Sequence, residues 1–275
     1  MTAPPLPPDA VPPDGSSAGA PPAGAYEPSP GASSPSRRVL AHTGLELSLL
    51  LRNGEQLLLT LVIPLVLLVG LSTVGVVSLG EGARVDLATP GVLALAVLST
   101  AFTAQAIATG FDRRSGALRW LGSTPLTRTG LLVAKTLAVL AIEVLQVVLI
   151  VAVALLLGWT PRGSWLAVAV LLLAGTAALS AWGLALAGVL RAEATLAVAN
   201  GVFLLLLLAG GTVIPLDRLP DGLAAVVQWL PTAALGDALR DVLVAGAALP
   251  WSAVAILLGW AGAGALVVAR TFRWT

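Results

Sequence analysis

The sequence FDRRSGALRWLGSTPLTRTGLLVAK, residues 111–135, is a basic segment with Gly and Pro that separates two long apolar runs, residues 90–110 and 131–158. Each run is long enough to cross a bilayer as a helix, because about 20 apolar residues at roughly 1.5 Å each span the hydrocarbon core. The arginines between them favour water or lipid headgroups. The pattern predicts two membrane-spanning helices joined by a loop at the membrane surface.

The composition extends this prediction to the whole chain. Hydrophobic residues make up 57% of the sequence and charged residues 11%, whereas soluble domains are roughly a quarter charged. The chain has no cysteine and one histidine, His42, so disulfides, thiolate chemistry, His-rich metal sites and a Ser–His–Asp triad are not expected. A net charge of +1 gives no reason to expect a nucleic-acid partner.

We therefore predict an all-α integral membrane protein with six transmembrane helices. The predicted spans are residues 57–79, 90–110, 131–158, 165–190, 196–214 and 252–269. Alternating Leu and polar residues predict an amphipathic helix at the membrane interface over residues 39–56. Two short helices, residues 223–230 and 233–245, are expected to be membrane-embedded or interfacial.

The chain divides by composition into two parts. Residues 1–36 contain eleven of the 19 prolines, and such a stretch buries too little apolar surface to fold. We predict a disordered, Pro-rich cytosolic tail over residues 1–38 and a transmembrane domain over residues 39–275.

Lys and Arg are distributed unequally between the predicted loops. With the N-terminus inside, eleven are cytosolic and four are outside, which accounts for all 15. The outer four are Arg84, Arg162, Arg218 and Arg240. By the positive-inside rule both termini are predicted to be cytosolic, in a multi-pass protein of the plasma (inner) membrane.

Two motifs occur in a suggestive order. The first, F-D-R-R-x-G-x-L-x-x-L-x-x-x-P-L, starts at Phe111 and precedes a span with an internal Gln146. The second, I-P-L-D-R-L-P, occupies residues 214–220 and precedes the two short helices. Together they resemble the permease subunits of type-2 ATP-binding-cassette exporters, which move drugs, lipids or polysaccharides, over about residues 40–270. The second motif resembles the outer re-entrant helical hairpin of that family.

The resemblance implies a dimer of permeases, either two copies or a copy with a paralogue, docked on a dimer of ATPase subunits. A short cytosolic coupling helix, here about residues 112–121, would contact the ATPase, with Asp112 as its N-cap and Ala117, Leu118 and Leu121 as an apolar stripe. The expected contact residues are Asp112, Arg113, Arg114, Gly116, Ala117, Leu118, Arg119 and Leu121. On this reading, changing Leu118 or Leu121 to Asp removes ATPase association and leaves membrane insertion intact.

ATP binding by this chain is not expected. The run GLLVAKT, residues 130–136, has a Lys but lacks the glycines of a phosphate loop. We expect no cofactor on the chain itself and ATP-Mg on the partner subunit.

Four polar residues within predicted spans are candidates for a translocation path or a dimer interface: Glu143, Gln146, Gln105 and Asn200. An ionisable group in a span normally faces the bundle interior or a cavity. The alternative for Glu143 and Gln146 is a pair of interhelical hydrogen bonds.

The sequence thus predicts an ATP-driven exporter permease for an amphipathic or lipid-like substrate. Two alternatives remain at this point. A membrane scaffold or assembly factor would use the same basic loop to recruit another protein. A gradient-driven carrier is expected to show inverted repeats and more intramembrane charge.

Overall fold

The computed structural model of the chain describes residues 33–74, 82–209 and 220–271. The chain divides into two compact units, Met1–Ser33 and Ser34–Thr275, and the elements below belong to the second. The predicted tail up to residue 32 and the I-P-L-D-R-L-P motif up to residue 219 lie outside the described residues.

The described residues are helical and contain no strand. The helices are α1 (Pro35–Arg52), α2 (Gly54–Thr73), α3 (Arg84–Val97), α4 (Gln105–Arg114), α5 (Ala117–Leu121), α6 (Arg128–Leu156), α7 (Trp165–Val189), α8 (Ala192–Ala209), α9 (Asp221–Val227), α10 (Pro231–Leu243) and α11 (Trp251–Thr271). A π-helical segment, Leu98–Ala104, joins α3 to α4 without a break.

The prediction of an all-α membrane protein is confirmed. Five helical stretches are long and apolar enough to cross a membrane: Gly54–Thr73, Arg84–Arg114, Arg128–Leu156, Trp165–Val189 and Trp251–Thr271. The fifth predicted span, 196–214, corresponds to the shorter apolar helix α8, which already begins at Ala192. The predicted loop over residues 80–89 is wrong from Arg84 onward, because α3 starts there and keeps Pro90 inside the helix.

The first helix starts earlier than the predicted boundary of the tail. Ser34 accepts a hydrogen bond from the Arg37 amide, and Pro35 takes the first helical position, where its missing N–H costs nothing. Residues 35–38 are therefore helical. The helix ends at Arg52, and Asn53 then caps α2 through its side-chain oxygen. A helix is thus confirmed over most of the predicted range 39–56, but it ends at Arg52, and residues 54–56 belong to α2.

Hydrogen bonds between loops and helix ends define the two ends of the bundle. The Thr160 amide donates to Asp86 Oδ1 (3.1 Å), and the Arg162 amide donates to the Leu243 carbonyl (3.1 Å). We call this the Trp159 end. At the opposite, α5 end, Val268 of α11 packs in the same cluster as Leu118 of α5. The first long helix begins, at Gly54, at the α5 end of the bundle, and the last long helix ends there, at Thr271.

Helix α10 enters the bundle from the Trp159 end. It is buried along most of its length and packs on α3, α7 and α11. Before its first turn, the Trp229 carbonyl accepts a hydrogen bond from Trp260 Nε1 (2.7 Å), nine residues into α11. At roughly 1.5 Å per residue this point lies about 13 Å along α11. Helices α9 and α10 thus form the expected re-entrant hairpin within the described residues.

Helix α7 is at the centre of the bundle and approaches its neighbours through small residues. A Cβ at Gly183 would lie 2.8 Å from the carbonyl oxygen of Phe102, in the π-helical segment. On α11, a Cβ at Gly264 would lie 2.8 Å from the Ala181 Cβ. Small residues allow such close helix packing in membranes, where the hydrophobic effect does not drive helices together.

We predict that Gly183→Ala destabilises the bundle by about 1–3 kcal/mol, because the added methyl meets a backbone oxygen that cannot move alone. The unfolding midpoint in mild detergent measures this. Gly259→Ala in α11 is the matched control, since its Cβ would meet nothing within 4 Å. Equal midpoints for the two variants would contradict the packing assigned to Gly183.

Candidate functional site: the α5 loop and the groove beside α4

Residues 111–135, the basic segment between two apolar runs, contain a short helix that packs against the bundle. Helix α4 ends at Arg114, and Gly116 adopts φ 81°, a left-handed conformation that suits glycine. The chain then forms α5. Leu118 of α5 is fully buried and packs against Leu131, Leu184, Ala185 and Val268. Leu121 lies against the same cluster.

Two details of the predicted coupling helix are wrong. It begins at Ala117 and not at Asp112, because Gly116 breaks the helix and Asp112 is still in the last turns of α4. Asp112 therefore does not cap α5. The apolar side chain of Leu118 does not form an exposed stripe for a partner, since the bundle already covers it. An Asp at this position would disturb the fold itself.

The exposed part of α5 consists of other side chains. Trp120 is 69% exposed, and Arg119 is exposed beside it. Trp120 was not among the predicted contact residues, although a tryptophan in a polar loop is the signal that would have indicated it. A large exposed aromatic side chain is typical of an interaction surface.

The other two arginines among the predicted contact residues, Arg113 and Arg114, have contacts within the chain. Arg113 donates from Nη1 to the carbonyl oxygens of Ala187 (3.1 Å) and Gly188 (2.7 Å) and so closes the C-terminus of α7. Arg114 forms an exposed ion pair with Glu193 of α8. Both arginines fix the end of α4 to neighbouring helices.

A buried cation joins three helices at the α5 end. Lys135 of α6 is 4% exposed, and its Nζ lies 2.7 Å from Glu46 Oε1 of α1 and 2.7 Å from Asp112 Oδ2 of α4. His42 Nε2 lies 3.1 Å from Glu46 Oε1. In the sequence, Lys135 counted toward the positive-inside asymmetry and was rejected as the lysine of a phosphate loop. Its place two turns inside an apolar helix was the available sign that it needs acidic partners.

The ion pair changes the acidity of Glu46. The pKa of its carboxyl group lies below the usual value: burial alone would raise the pKa, but interaction with the His42 imidazole and with the positive charge of Lys135 more than offsets burial. Glu46 is therefore a carboxylate at neutral pH.

Glu143 and Gln146 are both buried inside the single chain. Gln146 of α6 accepts a hydrogen bond from Thr100 Oγ1 (3.1 Å) and donates to the Thr60 carbonyl (2.8 Å), which ties α6 to the π-helical segment and to α2. Glu143 receives the Thr176 hydroxyl of α7 at Oε2, and its Oε1 has no partner among the described residues. The interhelical hydrogen bonds expected as the alternative are therefore present at both residues.

Asn200 lies on the wall of an open groove, and Gln105 lies outside that wall. The groove runs between α2, α4 and α8 and has a volume of about 880 Å³. Polar side chains occupy the wall near the α5 end: Glu46, Asn53, Gln56 and Asp112. The remaining wall is mostly apolar, and Asn200 of α8 faces it. Gln105 is 4% exposed and lines a smaller recess next to the groove.

The model of the family described as the ABC-2 type transporter matches residues 39–244. The chain belongs to the ABC-2 type transporter family. The match runs from α1 to the end of α10, so it includes α5, the groove and the re-entrant hairpin. Membership makes the chain a multi-pass membrane permease of an ABC transporter, a class that pairs with an ATPase subunit. No curated protein matches the sequence significantly.

We predict a pH-dependent stability contribution from Glu46 in this permease. Glu46→Gln leaves Lys135 with one acidic partner and lowers the free energy of unfolding at pH 7 by about 1–3 kcal/mol. Because the folded-state pKa of Glu46 is depressed, its stabilisation is present above the usual pKa of 4.5 and disappears as the pH falls through the folded value.

The measurement is the unfolding midpoint of wild type and variant between pH 7 and pH 3.5. The difference between them should narrow below pH 4.5. The exposed Glu55→Gln serves as control and should follow wild type throughout. A difference in midpoint between wild type and Glu46→Gln that stays constant over this range would show that the Glu46 charge is not responsible for the lost stability.

Proposed function

We propose that this permease moves an amphipathic or lipid-like substrate outward, driven by ATP that a separate subunit binds with Mg²⁺ and hydrolyses. The proposal rests on one helical stretch that lines the groove and ends only two residues before α5. The span Arg84–Arg114 lines the groove through Ala104, Ile107 and Phe111 and leads directly into α5. A force on α5 is therefore transmitted to the wall of the groove.

The contacts around α5 support this transmission. Leu118 fixes α5 to the ends of α6, α7 and α11, and Arg113 fixes the preceding turn to α7. The exposed pair of Arg119 and Trp120 is left for the ATPase. A partner that moves α5 will shift the bundle between two states only if it contacts them differently.

The groove supports an amphipathic substrate. A molecule with a polar head and an apolar body matches a groove that is polar at one end and apolar along the rest. Helix α2, which forms one side of the groove, leaves Leu58, Val62, Ile63, Val66 and Val69 exposed. We propose that a second permease copy, or a paralogue, packs near α2 and closes the groove.

The test of the function is co-purification of the tagged permease with its ATPase from native membranes. Trp120→Ala should reduce the recovered vanadate-sensitive ATPase about tenfold, since exposed aromatic anchors carry much of the energy of an interface. Leu118→Asp should reduce both the ATPase and the amount of folded permease, because the residue is buried.

Trp251→Ala is the matched control, an exposed tryptophan at the Trp159 end. It should retain the ATPase. If wild-type permease, well folded, recovers no ATPase, the proposal is wrong. If Trp120→Ala retains all of it, α5 is not the contact.

The α5 end is proposed to face the cytosol, with both termini on that side and the protein in the plasma (inner) membrane. The chain contains no cysteine, so single cysteines report without background. The exposed Ser123→Cys, after α5, should react with an impermeant maleimide only after the cells are opened. Ser164→Cys, at the Trp159 end, should react in intact cells. The reverse pattern would invert the topology.

A further inference from the structure

A small polar recess opens beside the acidic end of the groove. It has a volume of about 40 Å³ and lies between α1, α2, α4 and α6. Recess and groove share wall residues, among them Glu46, Gln56 and Thr60. A volume of this size holds about three water molecules or one small polar group.

One wall of the recess carries an unpaired buried amide. Gln105 is 4% exposed, and neither its Nε2 nor its Oε1 has a hydrogen-bond partner among the described residues. The hydroxyl of Thr109, which is 1% exposed and also lines the recess, has none either. Buried polar groups are nearly always paired, and an unpaired one costs stability. These atoms therefore suit a polar group supplied from the groove.

The charge around the recess favours a cation. Two carboxylates, Glu46 and Asp112, surround one ammonium, Lys135. Lys135 contacts one oxygen of each carboxylate. These three charges sum to −1 in a partly buried place, where electrostatic interactions are stronger than in water.

The wall that continues from the recess is apolar. The groove beyond Thr60 is lined by Ile63, Pro64, Leu67, Leu95, Phe203 and Leu207. An alkyl chain placed there would lie against apolar side chains, an environment as apolar as the lipid tails outside the groove.

We propose that the recess binds the primary ammonium head of a single-chain amphiphile, whose alkyl tail lies in the groove. The Gln105 amide oxygen and the Glu46 carboxylate, which both line the recess, accept hydrogen bonds from the ammonium. A trimethylammonium head offers no N–H donor to the acceptors of the recess. That such a molecule is transported rests on the proposed function, whereas its binding does not.

The experiment uses the full-length chain in phosphatidylcholine nanodiscs, without the ATPase. Radiolabelled dodecylammonium is bound, and unlabelled dodecylammonium, dodecyltrimethylammonium, dodecanol and dodecanoate compete for it, with empty nanodiscs subtracted. The alkyl tail has twelve carbons in the first three compounds and eleven in dodecanoate, so the head is the main difference among them. Dodecylammonium should compete about tenfold better than each of the others, as expected for a charge-assisted hydrogen bond.

The Gln105→Leu variant tests the recess itself. It fills the same space without polar atoms and should lower the affinity for dodecylammonium about tenfold, with little change for dodecanol. Gln228→Leu, an exposed glutamine beyond α9, is the matched control and should bind as wild type does. If Gln105→Leu does not fold, the competition on wild type decides alone.

Equal competition by the four heads, or wild-type affinity in Gln105→Leu, would show that the recess holds only water and would overturn the proposal. Tighter binding of dodecanoate would overturn it as well. The proposed function fails separately: loss of ATPase association leaves the head selectivity in nanodiscs untouched. Conversely, an ATPase that associates with a permease lacking this selectivity refutes the ligand class alone.

Discussion

The contact of Lys135 with Glu46 and Asp112 is the constraint around which the α5 end is built. An ammonium two turns inside an apolar helix cannot remain unpaired, because the surroundings solvate it poorly. Its two acidic partners come from the interface helix α1 and from the end of the span that leads to α5. One charge thereby fixes three elements relative to one another: the helix on the membrane surface, the wall of the groove and the third long helix.

The same arrangement explains how the loop is divided between internal and external contacts. Arg113, Arg114 and Leu118 all hold the loop to the bundle. The side chains left on the outside, Arg119 and Trp120, are carried on a short helix that has no freedom to move alone. A short helix that is packed rigidly against the bundle transmits a displacement to the bundle, whereas a flexible loop would absorb that displacement.

Hydropathy and charge were sufficient to predict the helical class and the order of the long helices. They depend on long apolar runs, which only helices can form across a membrane. The errors concern short-range detail. Asp112 was predicted to be a helix cap because caps are recognised from local sequence. The helix is instead interrupted four residues later, at the left-handed Gly116. Leu118 and Trp120 are both apolar letters in one loop, and only tertiary packing decides that the first is buried and the second exposed. The pairing of Lys135 with residues 89 and 23 positions away is likewise invisible to periodicity.

The π-helical segment Leu98–Ala104 has a consequence for the geometry of the second span. A wider turn accommodates an extra residue, so the side chains that follow are rotated about the axis relative to an uninterrupted α-helix. Before the segment, α3 is buried on nearly all sides, from Ala88 to Val97. After it, α4 presents Ile107, Ala108 and Phe111 to the open space of the groove. The π-helical segment therefore sets the rotation of α4 about its own axis. If the segment tightened to α geometry, Gln105 and Asp112 would rotate together about that axis. Different side chains would then line the groove while the helices kept their positions.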